Sequence, residues 1–64
     1  MKKTYPNLRA EMKKRGDTQQ TLADLLFMDK SNISRRFTGL TQWGIGEIDT
    51  LCEYYGKDYY YLFK

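Results

Sequence analysis

Histidine is absent from this sequence, and cysteine occurs once, as Cys52. A lone thiol forms no disulfide within the chain, and without histidine or a second cysteine a zinc site lacks its usual ligands. The same shortage leaves no acid, base and nucleophile to assemble. The chain therefore does not read as an enzyme, and no cofactor or metal is expected. No apolar run approaches the roughly 20 residues that a membrane span needs. Met1, Lys2 and Lys3 lead into Thr-Tyr-Pro-Asn and not into an apolar stretch, so no secretory signal is read there and a cytoplasmic location is expected. With 64 residues there is room for one domain, 1–64, with a small core. Its stability has to come from helix packing or from association with a second copy.

Charge is present in both signs, and its distribution says more than the net +3. Lys2, Lys3, Arg9, Lys13, Lys14 and Arg15 face only Glu11 within residues 1–15. Asp17, Asp24 and Asp29 make residues 16–29 acidic; Lys30, Arg35 and Arg36 make residues 30–39 basic again. From there on, Glu47, Asp49, Glu53 and Asp58 outweigh Lys57 and Lys64. Basic blocks that met in space would form a nucleic-acid footprint. By charge alone, ordinary solvated helix surface fits equally well.

Helix punctuation is frequent. Pro6 suits a first helical turn, with Leu8 and Met12 on one face and an end near Arg15-Gly16. The Lys13-Lys14-Arg15 run falls in the last turn of that helix, where cations complement the dipole. Thr18 caps a second helix whose Leu22, Leu25 and Leu26 turn inward. Asp29 caps a third, from Lys30 to about Thr38, stopped by Gly39. Gly44 starts a fourth, with Glu47 in the capping-box place, Ile45, Ile48, Cys52 and Tyr55 on one stripe, and Gly56 at its end. Asp58 caps a last short turn, Tyr59 to Phe63. Sustained period-two alternation is missing, so the expectation is an all-α bundle of about five short helices.

The second and third segments have the spacing of a helix-turn-helix, in which the second helix enters the major groove of DNA. That packing wants a small residue where the two axes approach, which Ala23 supplies, and an apolar lock ten residues on, which is Ile33. Phe37 extends the buried stripe by one turn. At about 100° per residue, Ser31 and Arg35 point almost opposite Ile33 and Phe37, with Thr38 beside them and Lys30, Asn32 and Ser34 at the flanks. Such a face donates and accepts hydrogen bonds and carries no negative charge to repel phosphate. A merely solvated helix would more often carry glutamate there.

The runs Thr18-Gln19-Gln20-Thr21-Leu22-Ala23-Asp24-Leu25-Leu26 and Asp29-Lys30-Ser31-Asn32-Ile33-Ser34-Arg35-Arg36-Phe37-Thr38-Gly39 resemble the helix-turn-helix of the phage repressor and Cro (XRE-like) proteins. Leu8 to Gly16 resembles the family's first helix, Trp43 to Gly56 its fourth and Asp58 to Phe63 its closing turn, so the likeness spans nearly the whole chain. It implies a lambda-repressor-like DNA-binding fold with Gln19 beside the DNA backbone. The base-reading residues expected on α-helical geometry and this resemblance together are Lys30, Ser31, Asn32, Ser34 and Arg35, with Arg35 the foremost. Gln19, Arg36, Thr38 and Thr41 are the expected phosphate contacts. One departure is Phe27, where the family usually has glycine in a left-handed turn. A Phe there costs on the order of 1–2 kcal/mol, or the turn takes another geometry. Arg36 is a second departure, at a place often apolar in the family.

The aromatic residues divide. Trp43 reads as a core plug more readily than as a base-stacking side chain, and Cys52 as an apolar structural thiol. Tyr55 and Tyr59 are expected in the core with Leu62 and Phe63, leaving Tyr60 and Tyr61 outward as an association face or as plain exposed tyrosine. The leading functional expectation is a transcriptional regulator, a repressor binding double-stranded DNA as a homodimer. The alternatives are an antitoxin or accessory protein whose Tyr-rich C-terminal end holds a protein partner, and an interaction module of this fold that does not bind DNA.

Overall fold

The computed structural model describes residues 5–64, so the charges expected at Lys2 and Lys3 lie outside the described residues. Among those residues the chain forms five helices and no strand: α1 (Pro6–Arg15), α2 (Gln19–Leu26), α3 (Lys30–Thr38), α4 (Ile45–Tyr55) and α5 (Tyr59–Phe63). The all-α bundle expected from the sequence is what forms. None of these helices is long and apolar enough to cross a membrane.

Local chemistry accounts for the boundaries. The Thr18 hydroxyl accepts from the Thr21 N–H at 3.3 Å, and the Thr18 N–H donates back to the Thr21 hydroxyl at 3.0 Å, closing a reciprocal cap on α2. At α4 the Gly44 N–H donates to Glu47 Oε1 at 3.1 Å. Asp58 Oδ1 accepts from the Tyr61 N–H at 2.8 Å and starts α5. Asp29 stands at the N-cap of α3 in extended conformation, but its side chain makes no capping bond.

The core gathers Leu8 and Met12 of α1, Leu22 and Ala23 of α2, Ile33 and Phe37 of α3, Leu51 and Tyr55 of α4, and Leu62 and Phe63 of α5. Trp43 joins it from the loop before α4, with its ring 5.5 Å from Phe37 and 5.6 Å from Phe63 in edge-to-face contacts. Its Nε1 is buried without a hydrogen-bond partner. Tyr5, itself in a left-handed conformation, sets its half-buried ring edge-on to Phe37, Trp43 and Phe63.

Two placements differ from the sequence-based expectation, and a third residue gains unforeseen partners. Leu51, not Ile45, belongs to the buried face of α4; Ile45 is 81% exposed. That face is centred between Leu51 and Tyr55, which puts Ile45 about 100° away from its middle. Tyr59 is 40% exposed and not core, because it occupies the first position of a five-residue helix and stacks on Phe63 from the rim. Tyr61 is exposed, and it also reaches α1. Its hydroxyl donates to Glu11 Oε2 at 2.9 Å, while its carbonyl accepts from Asn7 Nδ2 at 2.8 Å, so it stitches α5 to α1. Tyr60 and Tyr61, expected to face outward, are both exposed, with Tyr59 edge-on beside Tyr60.

Candidate nucleic-acid interface

Helices α2 and α3 are joined by the three residues Phe27, Met28 and Asp29. Ala23 and Ile33 are both fully buried where the two helices meet, and Phe37 continues the contact one turn on. The turn closes as a Schellman motif: the Met28 N–H donates to the Ala23 carbonyl at 2.9 Å and the Phe27 N–H to the Asp24 carbonyl at 3.4 Å. This needs a left-handed residue at its corner, and Phe27 takes φ 58 and ψ 47. Of the two geometries open to a Phe at this place, the strained left-handed one is adopted. The ring is 95% exposed, so no packing offsets the strain.

With the inner face of α3 against α2, its outer face is set. Lys30, Ser31, Arg35 and Thr38 are exposed, and Asn32 and Ser34 are half-buried at the flanks. No carboxylate lies among residues 30–38. Arg35 Nη1 donates to Asn32 Oδ1 at 2.6 Å, and the Thr38 hydroxyl donates to the Arg35 carbonyl at 3.1 Å. Gln19, at the start of α2, and Thr41, after α3, are half-buried. The Thr41 N–H donates to the Arg35 carbonyl at 3.3 Å, which folds the loop onto the end of α3.

Arg36 has another job than the phosphate contact expected of it. Its Nε donates to Glu47 Oε1 at 2.7 Å, its Nη2 to Glu47 Oε2 at 3.1 Å, and its Nη1 to the Asn32 carbonyl at 3.0 Å. The guanidinium is mostly buried in this fork-to-fork pairing and clamps α3 onto α4. Burial pushes the Glu47 carboxyl up, but the hydrogen bonds from Arg36 and the Gly44 N–H, with the Arg36 charge, outweigh it and hold the group below its ordinary value.

Three basic residues of α1 are also engaged. Arg9 lies over the Phe37 ring at 4.7 Å, Lys14 pairs with Glu11 at 3.3 Å, and Arg15 stands 5.0 Å and 5.2 Å from the rings of Tyr54 and Tyr55. Arg15 therefore faces the end of α4 and adds nothing to the α3 ridge. Two shallow clefts open elsewhere. One, of about 270 Å³, is bounded by Tyr5, Gln42, Trp43, Ile48, Tyr59 and Phe63; the other, of about 330 Å³, lies between Leu25 and the α4 residues Asp49, Glu53 and Tyr54. Burial, with Asp49 and Asp58 adding to it, pushes the Cys52 thiol above its usual range and makes it a poor nucleophile.

Sequence reasoning missed two side-chain pairings in this region. The Asn32–Arg35 pair sits at i, i+3 on one helix, a spacing that could have been read. The Arg36–Glu47 clamp spans eleven residues and two helices, and no local pattern signals it. Comparison with family models, curated proteins and solved structures finds no match to this chain.

Proposed function

We propose that this protein is a sequence-specific double-stranded DNA-binding regulator of transcription, a repressor of the phage repressor and Cro type, which reads the major groove with α3. The observation that carries the reading is the outer face of α3, where exposed Lys30, Ser31, Arg35 and Thr38 stand free of carboxylates on a helix locked from behind by Ile33 and Phe37. Lys30, Ser31 and Arg35 supply base contacts, Asn32 and Ser34 lie at the edge of that face, and Gln19, Thr38 and Thr41 flank the backbone. Thr38 donates its hydroxyl proton to the Arg35 carbonyl, so a phosphate contact there requires the hydroxyl to turn. Two copies of the chain would place their recognition helices about 34 Å apart on one face of the duplex.

Selection of bound sequences from a random duplex pool, followed by titration at varied salt, tests this. A dimer that neutralises six to eight phosphates gives log affinity falling with log salt at a slope of roughly −5 to −7. A flat salt response with no enriched sequence would sink the proposal. That result would favour the interaction-module reading, for which the exposure of Phe27, Leu40, Ile45 and Tyr60 is the supporting observation.

A further inference from the structure

If α3 reads DNA as proposed above, the bond between Arg35 and Asn32 gives the two residues different tasks. An asparagine reads adenine with both edges of its amide, the oxygen accepting from N6 and the nitrogen donating to N7. Here the oxygen already accepts the 2.6 Å bond from Arg35 Nη1. A guanidinium reads guanine with two parallel N–H groups, and the bond to Asn32 leaves the Nε and Nη2 edge of Arg35 for that fork. Long exposed side chains lose rotamer freedom on binding, so one already held in place loses less.

Asn32 is itself well anchored. It lies in the first turn of α3, half-buried, and its carbonyl accepts from Arg36 Nη1 at 3.0 Å. Arg36 is in turn clamped by Glu47 of α4. The guanidinium of Arg35 is thus tied through Asn32 and Arg36 to the body of the bundle, although Arg35 itself is exposed. We infer that Asn32 is a positioning residue that orients Arg35 toward guanine, and that it does not read adenine on its own account.

The test compares sequence selection from a random duplex pool by the wild-type chain and by the N32A, N32D and R35A variants, each checked for folding by circular dichroism. The wild-type chain should enrich guanine at a position whose preference disappears in R35A. N32A should weaken discrimination at that same position by roughly five- to tenfold. Affinity of N32A for a non-specific duplex at matched salt should stay within about twofold, because no phosphate contact is lost. N32D keeps an acceptor for Arg35 and should recover the guanine preference, while the added negative charge lowers affinity for every duplex.

Loss of preference at a separate adenine position in N32A, with guanine intact, would overturn the inference and make Asn32 a reader. Uniform weakening on all sequences with the base preference unchanged would overturn it too, and would make Asn32 a backbone contact. Both outcomes leave the DNA-binding proposal standing. A wild-type chain that enriches no sequence removes that proposal, and this inference with it.

Discussion

Helices α2 and α3 meet where Ala23 and Ile33 are buried, an apolar contact, whereas α1 and α5 add to their buried Leu8, Met12, Leu62 and Phe63 the polar links of Glu11 with Tyr61 and of Asn7 with the Tyr61 carbonyl. The polar seam continues along α1. Lys14 pairs with Glu11, and just past the helix Asp17 accepts from the hydroxyls of Tyr54 at 3.4 Å and Tyr55 at 2.9 Å. Burial pushes the Tyr55 phenol well above its ordinary value, and the bond to Asp17 adds to that. The apolar contact carries no titratable group. The polar seam depends on protonation states.

The largest test of this difference is Ile33→Ala. A fully buried isoleucine at the α2–α3 contact should cost about 2–5 kcal/mol on truncation. A domain this small has little stability to lose, so urea denaturation should show the variant largely unfolded. A loss below about 1 kcal/mol would mean that the contact closes around the gap and is less rigid than it looks. Next comes Arg36→Ala, which strips a mostly buried Glu47 of its bidentate partner and should cost about 1–3 kcal/mol. The same variant bears on the phosphate assignment. If Arg36 neutralised a phosphate, the salt slope of DNA binding would shrink by about 0.9 per site. The expected result is lower stability with an unchanged slope.

The turn between α2 and α3 gives an effect of the opposite sign. Phe27→Gly removes left-handed strain from a side chain that packs on nothing, and should stabilise the fold by about 1 kcal/mol in urea melts. No gain would show that the exposed ring stabilises the turn in some way its surroundings do not reveal. A gain accompanied by weaker partner or DNA binding would show that the strain is kept for function.

How far the sequence could be read depends on the range of each interaction. The caps were legible because Thr18 with Thr21, Gly44 with Glu47, and Asp58 with Tyr61 each act over three residues. Ile33 and Phe37 were legible because helical period puts them on one side of α3, and Ala23 because the motif's spacing asks for a small residue there. The buried face of α4 was misjudged by part of a turn, since its centre depends on where α5 and Trp43 lie and not on α4 itself. The pairings of Tyr61 and Arg36 were hidden for a sharper reason. Their partners are Glu11, 50 residues away, and Glu47, on another helix, and both carboxylates looked like ordinary surface charge.

The smallest effect lies in the polar seam, and it has two limbs. The hydrogen bond from Tyr61 holds the Glu11 carboxyl below its ordinary value of 4.5; burial opposes this, and Lys14 and Lys57 assist. A carboxylate depressed on folding contributes stability that is present above its ordinary value and is lost as pH falls through the folded one. The same bond to Glu11, with burial, raises the Tyr61 phenol above its ordinary value of 10.0. A phenol raised on folding contributes stability that is present below its ordinary value and is lost as pH rises through the folded one. The Glu11–Tyr61 bond therefore supports the α1–α5 seam between mildly acidic and moderately alkaline pH and fails at both ends. In Tyr61→Phe the acid limb should move to higher pH, because Glu11 loses the donor that depressed it, and the contribution of Tyr61 to the alkaline limb should vanish. Amide exchange read along the chain would localise the change. Protection should fall in α5 and the facing turn of α1 as pH drops, and α2 and α3 should keep theirs until the whole domain unfolds. Simultaneous loss in both regions would mean that the polar seam and the apolar contact form one cooperative unit, and that α3 does feel pH through α1.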